Sequence, residues 1–326
     1  MSENTAGNPA EYKEIIEKIC ALKKQKNAVI LAHSYCLPEV QDIADFVGDS
    51  LGLSQAAAKT DADIIVFAGV RFMAESAAIL SPDKKVLMPA PDAGCPMADM
   101  ITAQQLRAEK AKYPGARVVC YVNSSAAVKA ESDVCCTSSN ALEVVSGIDA
   151  DEILFVPDRN LGAYVAQHTG KTIHLWNGYC PIHDAFTTDD EKEARSRCSR
   201  PAGSGQDTAQ AVFLAHPECR RDVLEKADHI FSTAGIINYI RNAPEQEKTF
   251  IIGTECGVLH KINAQNPEKT IIPLSEKAVC ADMKKTTLPM ILQALEKEEH
   301  VITVPEDIRK DAAKALDRML EVLPQK

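Results

Sequence analysis

The 326-residue chain holds no apolar run near the length of a membrane span, and its polar start (residues 1–9) carries no signal-peptide pattern. We therefore expect a cytoplasmic protein with no membrane partner. A basic excess is also missing. The formal net charge is −10, and a nucleic-acid partner would want a surface rich in lysine and arginine. Small anionic substrates stay open, because a few local cations and backbone N–H groups can hold them. No Cys-x-x-Cys pair recurs, which disfavours a zinc ribbon or finger. The eleven cysteines, an odd number without an export signal, do not suggest a secreted disulfide framework. Composition is otherwise ordinary for a globular chain, at 45% hydrophobic and 25% charged, and the length allows two or three domains.

What is present is a cysteine set in one recurring place. Cys180 lies in Trp176-Asn177-Gly178-Tyr179-Cys180-Pro181-Ile182-His183, after a β-like run at 171–175. Gly178 offers backbone angles closed to other residues and Pro181 ends any regular element, so Cys180 should sit on a loop at a strand's end. Cys95 follows a strand-like run at 85–89, and Cys280 follows one at 270–274. For the other eight cysteines packing is the expected role, since a free cysteine behaves as a small buried hydrophobe.

The stretches between them share one grammar of short apolar strands and amphipathic helices. Strands are expected at 28–32, 64–68 and 86–88, then at 117–120 and 152–156, then at 211–214, 229–231 and 249–252. A charged, then Gly/Ser-rich linker is expected at 187–207, and amphipathic helices at 283–295 and 306–323 close the chain. Seventeen positions separate His33 from Ser50, Tyr121 from Ser138, and His216 from Thr233. Two places after the first member of each set stands another polar residue: Tyr35, Asn123 and Glu218. Alternating strands and helices make parallel sheets, which bind ligands at the carboxyl ends of their strands. The expected fold is α/β: three pseudo-threefold-related α/β/α sandwich domains around one central site. Their expected bounds are 10–103 with the N-terminal helix, 104–188 and 189–283, with the helices of 284–326 packing on the body.

Taken singly, His33 and His216 look like strand-end histidines, and Ser50, Ser138 and Thr233 look like helix caps. Jointly, equal spacing in three units suggests hydroxyls and N–H groups converging on carboxylate or phosphate oxygens. Three equivalent thiols without a fourth suggest an iron–sulfur cluster with one open iron, or a three-cysteine zinc site with one free position. Lys59 and Arg71 stay unassigned.

The chain resembles the quinolinate synthase family. The likeness runs from about His33 to Met283 and rests on His33-Ser34-Tyr35, Gly48-Asp49-Ser50-Leu51, Gly69-Val70-Arg71-Phe72-Met73, Cys95-Pro96-Met97-Ala98-Asp99, Tyr121-Val122-Asn123, Cys135-Cys136-Thr137-Ser138, Gly178-Tyr179-Cys180, His216-Pro217-Glu218, Gly253-Thr254-Glu255 and Cys280-Ala281-Asp282-Met283. It implies condensation of iminoaspartate with dihydroxyacetone phosphate to quinolinate, with loss of phosphate and two waters, in de novo NAD biosynthesis. It implies a [4Fe–4S] cluster on Cys95, Cys180 and Cys280, whose open iron acts as a Lewis acid, and functional coupling to L-aspartate oxidase. It also implies that His33, Ser50, Tyr121, Asn123, Ser138, His216, Glu218 and Thr233 surround the substrates. Acid–base work would fall to Tyr121, Glu218, His33, His216 and Tyr35.

Overall fold

A parallel strand buried on both faces needs an almost unbroken apolar run. Ile64-Ile65-Val66-Phe67-Ala68 is one, and all five residues are buried in the computed structural model, which describes residues 9–198 and 211–321. Among the described residues twelve strands form three four-stranded sheets. The first holds β1 (Ala28–His33), β2 (Phe46–Gly48), β3 (Ile64–Ala68) and β4 (Lys85–Leu87). The second holds β5 (Arg117–Tyr121), β6 (Val134–Cys136), β7 (Glu152–Val156) and β8 (Thr172–Leu175). The third holds β9 (Val212–Ala215), β10 (His229–Ile230), β11 (Thr249–Gly253) and β12 (Thr270–Pro273). Strand order is β2-β1-β3-β4, β6-β5-β7-β8 and β10-β9-β11-β12, with every pair parallel, so the expected α/β architecture of three repeated units is what forms.

The register explains the seventeen-residue spacing. His33 pairs with Gly48, Tyr121 with Cys136, and Ala215 with Ile230, the same offset in all three sheets. Ser50 and Ser138 fall two residues past the second strand of their units and Thr233 three past its own, in the turns that lead into the helices Ser50–Lys59, Ala141–Gly147 and Thr233–Asn242. Side chains alternate between the sheet faces. In β1, Ile30 and Ala32 pack with Val66, Ile291 and Leu295, while Leu31 packs with Ile65, Phe67 and Leu53 on the other side. Burying each such side chain contributes roughly 1.5–3 kcal/mol, so a one-residue slip would forfeit several of these at once.

Two expectations change. Residues 188–198 form a helix, Thr188–Cys198, rather than a linker; the remainder of that stretch, 199–207, lies outside the described residues. The helix is highly charged, yet Arg195 donates to Ala211 O (3.0 Å) and Arg197 to Pro273 O (2.6 Å), which pins it to the third sheet. The stretch 283–295 splits into a short turn, Asp282–Lys284, and a helix, Leu288–Lys297, since Pro289 suits a helix start. That helix lies against the N-terminal one (Pro9–Gln25) and β3, whereas Glu306–Glu321 crosses to β6 and the helix Ala126–Ala130 of the second unit. Among the described residues no helix is long and apolar enough to cross a membrane.

Candidate active site

A cavity of about 270 Å³ opens at the carboxyl ends of strands from all three sheets. Every residue assigned a site role from sequence lines it: His33, Tyr35, Ser50, Cys95, Tyr121, Asn123, Ser138, Cys180, His216, Glu218, Thr233 and Cys280. Lys59 and Arg71 are exposed and lie elsewhere. Among the described residues no lysine or arginine lines the cavity, so an anion inside would meet neutral donors.

The first strand of each unit delivers one polar group. His33 ends β1, and its Nδ1 accepts the Tyr35 N–H (3.2 Å). His216 follows β9, and its Nδ1 accepts the Glu218 N–H (3.3 Å). An Nδ1 that accepts leaves the proton on Nε2, which His216 points at Ser138 Oγ (3.1 Å). Burial, chiefly, holds both imidazoles near a pKa of about 3, so both are neutral N–H donors at ordinary pH. The second unit puts a phenol in this position. Tyr121 Oη donates to Glu218 Oε1 at 2.5 Å, and burial raises its pKa well above the usual value.

Glu218 is the hub. Its second oxygen meets His183 Nδ1 at 2.7 Å. Burial alone would push this carboxyl up; the His183 ring and the hydrogen bonds from His183 and Tyr121 outweigh that and hold it at about 2. With Nδ1–H given to an ionised Glu218, His183 Nε2 accepts from Thr254 Oγ1 (2.8 Å). Thr254 in turn accepts from Tyr35 Oη (2.6 Å), and Tyr35 Oη accepts from Thr233 Oγ1 (2.7 Å). One directional chain thus runs from Thr233 to Glu218 across all three units. His183 and Thr254 were not assigned a role from sequence, although both stand inside the quoted motifs; nothing local distinguishes either from a packing residue.

The three cavity hydroxyls are not the helix caps. Asp49 caps the helix Ser50–Lys59 by accepting from Gly52 N–H, and Ser232 caps Thr233–Asn242 through Gly235 N–H. Asn140 holds the cap position before Ala141–Gly147. Ser139 Oγ joins Asp49 Oδ2 (2.6 Å) to Ser232 Oγ (2.7 Å), tying helix starts from three units together. Asn123 Oδ1 is buried and has no partner. An orphan acceptor on the cavity wall is costly unless a ligand donor meets it.

Cys95, Cys180 and Cys280 are partly buried free thiols. Burial pushes Cys95 up to about 12 and raises the other two, so their thiolates need a cation beside them. Gly178 serves the Cys180 loop through room rather than backbone angles. Its φ lies outside the left-handed region, and a Cβ there would sit 2.5 Å from Pro157 O. Donor atoms of Cys180, His183 and Glu218 lie within 4.8 Å of one another, close enough to share a metal ion. The other eight cysteines are free thiols outside the cavity, five of them buried.

The fold and this cavity define a three-unit α/β protein with one centre that combines acid–base groups and thiols able to hold a metal. The sequence pattern of the Quinolinate synthetase A protein family matches residues 17–321. The chain is 56% identical over 309 residues to a quinolinate synthase of Methanosarcina barkeri, covering 95% of this chain and 98% of that one. It is 53% identical to a quinolinate synthase of Geobacter metallireducens (94% and 97% covered) and 52% identical to one of Dehalococcoides mccartyi (95% and 99%). The chain belongs to the Quinolinate synthetase A protein family, and it is an enzyme; the role in NAD biosynthesis stands at the level of that family.

Proposed function

We propose that the chain condenses iminoaspartate with dihydroxyacetone phosphate to quinolinate, releasing phosphate and two waters, in the cytoplasm. Family membership supports the product. The observation that carries the chemistry is the ionised, buried Glu218 held between a neutral phenol and an imidazole, in the cavity that the unpaired Asn123 also lines. Cys95, Cys180 and Cys280 would hold a [4Fe–4S] cluster, and the donor set fits, since burial disfavours these thiolates without a cation. When bound, its open iron supplies Lewis-acid activation of a leaving hydroxyl.

The protein's own groups do the rest. The Nε2–H group of His33 and the hydroxyls of Ser50 and Ser138, the latter backed by His216 Nε2–H, grip carboxylate or phosphate oxygens as neutral donors, while Thr233 Oγ1 gives its proton to Tyr35 Oη. Asn123 Oδ1 accepts from the substrate's nitrogen or a hydroxyl. Glu218 takes a proton as base, and Tyr121 Oη, already directed at Glu218, gives one as acid. Tyr35 Oη is held by Thr233 and Thr254 and orders the far wall. Iminoaspartate hydrolyses readily in water, so an L-aspartate oxidase supplying it close by is the partner this chemistry favours.

The test is anaerobic purification, with iron, sulfide and zinc analysis and a quinolinate assay using dihydroxyacetone phosphate and iminoaspartate made from oxaloacetate and ammonia. We expect equal iron and sulfide, quinolinate formation, and loss of both in Cys180→Ala, with Cys20→Ser and Cys198→Ser unaffected. Zinc without sulfide, or a full cluster in Cys180→Ala, would refute the cluster; absent quinolinate from loaded protein would refute the reaction.

A further inference from the structure

Cys180 and Cys280 share more than a place at the cavity wall. Each has its backbone N–H held by a carboxylate that is buried to at least 99%. Asp158 Oδ2 accepts from Cys180 N–H (3.1 Å), and Glu255 Oε1 accepts from Cys280 N–H (3.0 Å). Both carboxylates stand two residues past the third strand of their unit, β7 ending at Val156 and β11 at Gly253. Each is fixed in turn. Asp158 Oδ1 accepts from Leu161 N–H (2.7 Å), and Glu255 Oε2 accepts from Gly257 N–H (2.6 Å).

The first unit has the apolar Val70 at that place, and the third unit supplies what is missing. Asp282, two residues past Cys280, sends Oδ1 across to Gly94 N–H (3.1 Å), the amide next to Cys95. All three cysteine loops are therefore hung on carboxylates.

This arrangement is electrostatically unfavourable in itself. An anion beside a prospective thiolate repels it, and the amide so occupied is lost to the sulfur. A site that only needed to stabilise thiolates would leave those N–H groups facing them. What a carboxylate acceptor provides is a directional bond that fixes the loop before any metal arrives. Glu255 also carries a counter-ion: Lys284 Nζ lies 2.9 Å from Oε1 and donates to Tyr35 O. A Cβ at position 257 would strike Lys284 Nζ, Glu255 Oε2 and Tyr35 O, so glycine is needed for the cluster to close. The loops carrying Cys280 and Tyr35 thereby share one anchor.

We propose that Asp158, Glu255 and Asp282 are positioning residues that pre-set the Cys180, Cys280 and Cys95 loops for a bound metal centre, an inference resting on the reading of these cysteines as its ligands. Lys284 sets the charge that Glu255 presents to that centre.

The experiment compares anaerobically purified parent protein with Asp158→Asn, Glu255→Gln, Asp282→Ala and Lys284→Met. It reads iron and sulfide content, the rate of iron loss to a ferrous chelator, and the reduction potential. An amide offers one acceptor where Asp158 and Glu255 use two, and Asp282→Ala removes the oxygen that holds Gly94 N–H, so each anchor variant should still load but release iron about ten- to hundredfold faster. The potential should rise in Glu255→Gln, which removes a negative charge, and fall in Lys284→Met, which unmasks it. A merely structural role would not give shifts of opposite sign. Asp158 is fully buried, so Asp158→Asn also tests the fold; Asp282 is 22% exposed, and its variant keeps that arm decisive. Loaded variants that release iron at the parent rate, with unmoved potentials, overturn this proposal alone. A parent protein that takes up no iron overturns the ligand reading and this proposal with it.

Discussion

The first and third units end their first strands alike, and the second does not. His33 and His216 each have Nδ1 occupied by the amide two residues on, which fixes one tautomer and turns Nε2–H toward the cavity or its wall. At the matching place Tyr121 offers a hydroxyl, and the residue two further on, Asn123, leaves its side-chain oxygen unpaired. The scaffold position is the same, since the strand register is the same in all three sheets. The chemistry is not. A repeated fold supplies equivalent places around a cavity, and substitution at those places divides neutral imidazole, phenol and carboxylate among them. Glu218 then joins the unlike units, because it takes Tyr121 from the second and belongs itself to the third.

The largest effect should come from cutting that join. Glu218→Gln keeps size and removes the base, so turnover should fall by about 10²–10⁴-fold with iron content retained. Steady-state rates beside metal analysis check this, and a loss under tenfold would take the base role from Glu218. Next, Tyr121→Phe makes the second unit contribute no proton; turnover should fall by about 10²-fold with little change in substrate KM. If KM alone rises, Tyr121 binds rather than donates.

Smaller effects separate the hydroxyls from the caps beside them. Ser50→Ala and Ser138→Ala should each lower turnover by about ten- to hundredfold, equivalent to roughly 1.5–3 kcal/mol for a bond to a charged oxygen, and Thr233→Val should lower it by about tenfold through loss of its bond to Tyr35. Their melting temperatures should stay near the parent's, because Asp49 and Ser232 do the capping. Asp49→Ala should show the reverse balance, losing about 1 kcal/mol of stability. Normal turnover in all three hydroxyl variants would end the shared-cavity reading.

The last expected effect is on stability against pH. His33 and His216 fold with pKa values of about 3, below the ordinary value of about 6.5. Between those values the unfolded chain binds more protons than the folded one, so stability is full above pH 6.5 and declines as pH falls toward 3. Urea midpoints from pH 7.5 to 4.5 should drop, and His33→Asn should flatten the slope. An unchanged slope would mean that His33 is not buried neutral.

Much of this was legible because it depends on local repetition. Continuous apolar runs such as Ile64-Ile65-Val66-Phe67-Ala68 mark doubly buried strands, and equal offsets between His33 and Ser50, Tyr121 and Ser138, and His216 and Thr233 mark equal registers. The charged helix Thr188–Cys198 was misread as linker because its order comes from distant carbonyls, Ala211 and Pro273, rather than from an apolar stripe. The capping alternative failed by one residue at Ser50 and Thr233 and by two at Ser138, a distinction that backbone geometry alone makes.

The sequence by itself determined most of the strands and which side chains stand at the sheets' carboxyl edges, since period and spacing act within a few turns of chain; the short second strands Phe46–Gly48 and Val134–Cys136 carry too few residues for a pattern to mark them. The tertiary structure decided the connections. His183 meets Thr254 across 71 positions and Tyr35 meets Thr233 across 198, and Glu218 is ionised because His183 and Tyr121 arrive beside it. Hydrogen bonds reach about 3 Å, so a proton chain exists only once packing has brought its members that close.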